Sequence, residues 1–110
     1  MTGLVACYVT VPSRAVADVI AQSLVSKQLA ACVNIIPGIQ SVYTWKGVVQ
    51  RDEELLLMIK SRAQLFPLIV EDVKAHHPYD VPEVISVAIQ DGHQPYLDWV
   101  HENTKEKEDQ

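Results

Sequence analysis

Two segments of the chain are apolar at successive positions rather than at alternating ones. The first extends from Leu4 to Val11 and the second from Leu55 to Ile59. Strands with this pattern are buried on both faces of a sheet, and we place the first of the two in the sheet interior. A third segment, Val84 to Gln90, is mostly apolar on both faces and predicts a further strand.

The centre of the chain predicts one long β-hairpin. Its first arm extends from Ala31 to Trp45 and its second from Val48 to Lys60. Lys46-Gly47 suits a two-residue turn in which glycine adopts a positive φ. Pro37-Gly38 interrupts the first arm and predicts a bulge or bend there.

Two segments have apolar residues at helical spacing and predict helices that pack on the sheet. The first helix follows Ser13, a natural N-cap, and continues to about Lys27. The second contains Pro67 in its first turn and ends at His76-His77-Pro78, because proline disfavours helix at the residue before it. The apolar stripes are Val16, Val19, Ile20 and Leu24 in the first helix, and Leu65, Leu68, Ile69 and Val73 in the second.

The element order β-α-β-β-α-β is that of the ferredoxin-like α+β fold, with a four-stranded antiparallel sheet and two helices on one face. We expect a single domain over residues 1–110, with a short C-terminal helix from Pro95 to about Asn103 and a flexible tail from about 105 to 110. That short helix is too small to cover the second sheet face. The apolar second face therefore predicts a homo-oligomer, in which the long hairpin adds strand hydrogen bonds to a neighbour.

Composition narrows the choice of partners. The net charge is −5 and aromatic residues are scarce on the inner strands, which argues against a nucleic-acid binder. No apolar run approaches the roughly 18–20 residues that span a bilayer, so we expect no membrane insertion. Without a secretory signal, Cys7 and Cys32 are interpreted as reduced thiols of a cytoplasmic protein.

Several motifs, spread from about residue 4 to 104, resemble those of the CutA1 family of divalent-cation tolerance proteins. They are Ala30–Gly38, Tyr43–Gly47, Glu54 with Lys60-Ser61, His77–Glu83 and Tyr96–Val100. The resemblance implies a ferredoxin-like protomer, a homotrimer and a cytoplasmic role in tolerance of copper and other divalent cations. It implies no catalytic reaction, so we expect a binding protein rather than an enzyme.

The resemblance also suggests metal ligands. His76 and His77 correspond to the family's histidine pair, and imidazole binds copper(II) well. Val9 stands where the family has a cysteine, and Cys7 lies two residues earlier on the same side of the strand. We therefore take His76, His77 and Cys7 as candidate ligands. The structural alternatives are a histidine that meets the helix dipole and a cysteine that packs in the core.

Polar and aromatic residues of the hairpin and of the last segments are candidates for an interface or cleft between subunits. Glu54 and Lys60 share strand parity and would form interface ion pairs or line a cleft. The candidate aromatic anchors are Tyr43, Trp45, Tyr79 and Trp99.

Two other functions remain open from the sequence. One is a trimeric regulatory module, by analogy with PII-type proteins, that binds a small ligand in clefts between subunits; the scattered glycines offer no phosphate cradle for it. The other is an enzyme on the same fold, such as an acylphosphatase. Arg14 after the first strand lies in a suggestive position, but Pro12-Ser13-Arg14 lacks the glycine-rich loop that such an enzyme needs.

Overall fold

The computed structural model describes residues 1–106 and confirms the predicted element order. The strands are β1 (Leu4–Val11), β2 (Cys32–Trp45), β3 (Val48–Arg62) and β4 (Val84–Ile89). The helices are α1 (Arg14–Ser26), α2 (Phe66–His76) and α3 (Gln94–Glu102), and a single 3-10 turn, Ala63–Leu65, precedes α2. Ser13 caps α1 as predicted, since its hydroxyl accepts from the Val16 N–H at 3.2 Å.

The sheet is antiparallel, with strand order β2-β3-β1-β4. Strand β1, which was predicted to lie in the sheet interior, occupies the centre together with β3. Cys7 pairs with Ile59 on one side and with Ser86 on the other. The hairpin turn has positive φ at both Lys46 (52°) and Gly47 (79°), as a tight two-residue turn requires. The register of β2 on β3 shifts between Ile36 and Ile39, which confirms the predicted bulge.

The main core lies between one sheet face and the helices α1 and α2. Side chains alternate across a strand, and the odd-numbered residues of β1 point to this face. They pack with Leu57 and Ile59 of β3 against the buried stripes of the two helices. The core residues contributed by the helices are Ala17, Ile20, Leu24, Ile69 and Val73.

Helix α3 packs on the opposite sheet face, at one end only. Leu97 and Val100 contact Leu4, which pairs with Ile89 in the sheet. Arg62 fixes the end of this helix, because its guanidinium donates to the His101 carbonyl oxygen at 2.7 Å. Farther along the same face, Ile85 and Val87 of β4 are about half exposed. Within residues 1–106, the second face therefore stays partly bare, as the sequence predicted.

The chain remains attached to the domain after α3. The backbone N–H of Lys105 donates to the Gln28 carbonyl oxygen at 2.9 Å. The first residue of the predicted tail is thus hydrogen-bonded to the α1–β2 connection, and positions 107–110 of that tail lie outside the described residues.

Candidate functional site

The two adjacent histidines stand where α2 ends. His76 is the last helical residue, and His77 is already extended, with φ −95° and ψ 137°. This change of backbone conformation follows from Pro78, which excludes helix at His77. The two rings consequently leave the chain in different environments and make different contacts.

His77 is buried, and both of its ring nitrogens are bound to backbone groups. Nε2–H donates to the carbonyl oxygen of Thr10 at 2.8 Å. Nδ1 accepts from the backbone N–H of Tyr79 at 3.2 Å, and the ring centroids of His77 and Tyr79 lie 4.6 Å apart. A neutral imidazole has one donor and one acceptor nitrogen, so His77 retains no lone pair for a metal ion. His77 instead fastens the segment after α2 to the end of β1.

His76 presents the opposite case. Its Nδ1–H donates to the carbonyl oxygen of Asp72, one helical turn earlier, at 2.9 Å. Nε2 is then the nitrogen that carries the lone pair. The side chain is 31% exposed, so a small ion can approach it. Histidine ligands usually donate their second nitrogen to a carbonyl or carboxylate in this manner.

Cys7 does not join the histidines. It lies fully buried in the main core, and burial raises the pKa of its thiol to about 11. A thiol that keeps its proton at neutral pH is a poor ligand, because metals bind the thiolate. Val9, the other position considered, is buried in the same core. Cys7 is therefore packed in the main core of the protomer, which is the structural alternative that the sequence left open for it.

The described part of the chain contains no group of three or more His, Cys, Asp or Glu side chains that could hold a metal ion. The predicted set of His76, His77 and Cys7 therefore does not assemble within one protomer. Of the three, only His76 has a donor atom that fits a metal ion. The physical reason is that backbone hydrogen bonds occupy both ring nitrogens of His77, and that the Cys7 side chain is enclosed by apolar side chains of the core.

A polar cluster lies on the hairpin just beyond the end of β1. Tyr79 donates its hydroxyl to Glu54 Oε2 at 3.0 Å, and the Glu54 side chain is largely buried. Tyr43 donates to Asp52 across the hairpin. Desolvation, the hydrogen bond to Glu54 and the nearby negative charge raise the pKa of Tyr79 to about 12. The hydrogen bond to Asp52 is the largest cause that raises the pKa of Tyr43.

The remaining interface candidates are separate from this cluster in the protomer. Lys60 shares the sheet face of Glu54 but donates to Asn34 on the neighbouring strand. Trp45 is exposed at the hairpin tip, where the Lys46 ammonium lies 5.8 Å from its ring centroid. Trp99 is also exposed and stacks on Tyr96, with centroids 5.7 Å apart. Glu54 and Lys60 thus bind different partners within one subunit.

Sequence reasoning missed one charged pair near His76. Asp72 is buried on α2, and its Oδ1 accepts from the Lys27 ammonium at 2.6 Å. A signal was present, because Asp72 follows Ile69 by three residues and precedes Val73. An acidic residue on an apolar helical stripe requires a partner from another element. Nothing in the sequence indicated that the partner would be Lys27.

None of the helices in residues 1–106 is long and apolar enough to cross a membrane.

Residues 5–103 match the family described as CutA1 divalent ion tolerance protein. The "Divalent-cation tolerance protein CutA" of Thermus thermophilus is 53% identical over 96 residues, which cover 87% of this chain and 93% of that one. "Protein CutA" of Mus musculus is 49% identical over 100 residues, but those residues are 91% of this chain and 56% of the mouse protein.

Solved structures agree with this match. The crystal structure of CutA1 from Oryza sativa superimposes with a TM-score of 0.93 at 49% identity, over 97% of this chain and 100% of the rice chain. The structure of the divalent cation tolerance protein (Cut A1) from Thermus thermophilus superimposes with a TM-score of 0.91 at 50% identity, over 93% of this chain and 99% of the other. The chain therefore belongs to the CutA1 family.

Proposed function

We propose that this chain acts as a homotrimer that binds divalent cations, copper(II) among them, and so supports tolerance of these ions in the cytoplasm. The family and its relatives carry the description of divalent-cation tolerance. The observation that carries the binding step is the geometry of His76. Its Nδ1–H is held by the Asp72 carbonyl, and its Nε2 lone pair is available on a partly exposed ring.

A site with one imidazole donor completes its coordination with water or with groups from a neighbouring subunit. Imidazole suits copper(II), and a nitrogen donor binds copper(II) more tightly than the other divalent ions of the first transition series. The proposal therefore predicts preference for copper(II) in solution. It assigns no catalytic step to the protein. The two cysteines of the described residues are free thiols, as a reducing cytoplasm permits.

The apolar side chains that the protomer leaves exposed support the homotrimer. They include Ile85 and Val87 on the second sheet face and a group at the far end of the hairpin. In soluble proteins generally, a large contiguous patch of exposed apolar surface marks an interaction site. A second and a third copy of the chain would cover these residues.

Calorimetric titration with copper(II) tests the binding step. We expect saturable binding to the wild-type protein, loss of that binding in His76→Ala, and its retention in His77→Ala that has remained folded. Equal binding by the wild type and His76→Ala would contradict the proposal. A titration with ATP in the same cell tests the regulatory alternative, which stays a prediction and requires saturable nucleotide binding.

A further inference from the structure

The connection between β4 and α3 contains the one Asp-Gly pair of the sequence, Asp91-Gly92. Both residues are exposed and lie in irregular backbone, after β4 ends at Ile89 and before α3 begins at Gln94. Within residues 1–106, the backbone N–H of Gly92 donates no backbone hydrogen bond. The Asp91 carboxyl group therefore stands next to a main-chain nitrogen that is not fixed in a ladder or a turn.

This arrangement permits closure of a five-membered ring. When the Gly92 nitrogen has lost its proton, its lone pair forms a bond to Cγ of the protonated Asp91 carboxyl group, and the hydroxyl of that group leaves as water. The product is a succinimide. Glycine favours the attack, because it has no Cβ beside the nitrogen and few conformational restrictions.

Water then opens the ring at one of its two carbonyl carbons. Attack at Cγ restores aspartate, whereas attack at the main-chain carbonyl carbon breaks its bond to the Gly92 nitrogen and leaves the chain linked through Cγ. One water is released and one is consumed, so the mass of the protein stays the same. Asp91 and Gly92 both line a cavity of about 280 Å³, which gives water access to the ring.

We propose that Asp91 isomerises spontaneously to isoaspartate in the folded protein, and that the new linkage loosens the packing of α3 on the sheet. The contact between Gly92 and Leu97 couples the two events. A Cβ atom on Gly92 would lie 2.9 Å from Leu97 Cδ2, so the Leu97 side chain packs directly against the Gly92 backbone. The isoaspartyl linkage adds one methylene group to the main chain beside this contact.

Leu97 attaches the first turns of α3 to the sheet. Its side chain is 6% exposed and packs with Leu4 and Val100. The other end of the helix is held separately, since the Arg62 guanidinium donates to the His101 carbonyl oxygen at 2.7 Å. We therefore expect the loosening to begin around Leu97. The inference goes beyond the proposed function, because it requires neither a metal ion nor a neighbouring subunit.

The first experiment stores the purified full chain at mildly acidic pH and body temperature and maps its peptides over several weeks. An isoaspartyl peptide has the mass of its parent but a different retention time, and it resists an aspartate-specific protease. The internal control is Asp80, which is also exposed in irregular backbone but precedes the β-branched Val81. We expect isoaspartate to accumulate severalfold faster at Asp91 than at Asp80, and equal rates would overturn the proposal.

The matched variant is Asp91→Glu, which keeps the negative charge and Gly92. Its longer side chain would have to close a six-membered ring, so the new peptide species should disappear. If the same species accumulates in Asp91→Glu, it does not arise from a succinimide at this position, and the proposal is wrong.

The second experiment measures the coupling to α3. Hydrogen exchange of the stored protein, read by mass spectrometry, compares peptides that contain residue 91 and α3 in their aspartyl and isoaspartyl forms. We expect faster exchange in the isoaspartyl form, and equal exchange would overturn the loosening of α3. Conversely, Leu97→Ala should speed isomerisation more than Val100→Ala does, because only Leu97 packs on Gly92. If Leu97→Ala does not fold, the exchange comparison alone decides the coupling.

Discussion

The two halves of the β2–β3 hairpin have different surroundings although the same strands form both. In the half next to β1, Leu57 and Ile59 are fully buried beneath α1 and α2. In the far half, beyond the end of β1, Val49 is 66% exposed and Trp45 60% exposed. The near half is mostly apolar, whereas the far half includes the polar run from Gln50 to Glu54, yet both halves form antiparallel pairs.

The difference shows that strand pairing and side-chain burial are separate contributions to stability. The near half is stabilised by transfer of its side chains out of water, about 1.5–3 kcal/mol for each fully buried large aliphatic residue. The far half has the hydrogen bonds of a hairpin, and apart from the contact between Glu54 and Tyr79 it has no packed layer within residues 1–106. An isolated two-stranded ribbon is only marginally stable in water. We therefore expect contacts with a neighbouring copy of the chain to stabilise the far half.

The strongest test of this contrast is a cavity in the near half. Leu57→Ala should lower the free energy of unfolding by about 2–5 kcal/mol, because it removes a fully buried side chain from a packed core. Urea denaturation followed by circular dichroism measures the loss. Val49→Ala, in the exposed half, is the matched control and should change the protomer stability by less than about 1 kcal/mol. Similar losses in both variants would contradict the division of the hairpin.

The far half should control association instead. Trp45→Ala combined with Val48→Asp changes a cross-strand pair that is exposed in the protomer. We expect the light-scattering mass to fall from three times the 12.3 kDa chain mass toward one chain mass, because the apolar surface available to a neighbour is lost.

The control for association is Val19→Asp, which places the same charge at an exposed valine of α1. That variant should keep the mass of the wild-type protein. A trimeric double variant would show that the far half of the hairpin does not hold the subunits together, and a monomeric wild-type protein would end the trimer proposal.

The fold could be predicted from the sequence because its periodic patterns are local and strong. The apolar segment Leu4–Val11 indicated a strand in the sheet interior, and Gly47 and Pro78 marked the hairpin turn and the end of α2. These features depend on residues within a few positions of one another, which pattern reasoning can read.

The candidate site could be predicted only in part, because its chemistry depends on distant partners. His76 and His77 are adjacent in sequence and equivalent in residue type. Backbone groups of Thr10 and Tyr79 occupy both nitrogens of His77, whereas the Asp72 carbonyl orients the ring of His76. Thr10 is 67 positions away from His77. Spacing along the chain also placed Cys7 on the same side of β1 as Val9, but it could not show that this side faces the main core.

The two histidines can also be compared by the stability that each contributes, because one ring is buried and the other is partly exposed. His77→Ala should cost about 1–3 kcal/mol, because it removes a buried side chain and leaves the Thr10 carbonyl and the Tyr79 N–H without their partner in a partly buried setting. His76→Ala should cost less than about 1 kcal/mol, since the ring is partly exposed and only one hydrogen bond is lost. Thermal and urea unfolding of metal-free protein compare them. A larger loss in His76→Ala would reverse the assigned roles.

The smallest expected effect concerns Tyr79, which joins the loop after α2 to the hairpin. Its pKa is raised from 10 to about 12, first by desolvation and then by the hydrogen bond to Glu54. As the pH rises through this interval, the unfolded chain loses the tyrosine proton before the folded chain does. The unfolded state then binds fewer protons, so the contribution of Tyr79 to stability is present below pH 10 and is lost by about pH 12.

Tyr79→Phe should therefore flatten the loss of stability between pH 10 and pH 12, as measured by urea unfolding at a series of pH values. The change should be modest, because Tyr79 is 40% exposed and water screens its interactions. An unaltered slope in Tyr79→Phe would mean that the bond to Glu54 does not hold the far half of the hairpin to the loop after α2.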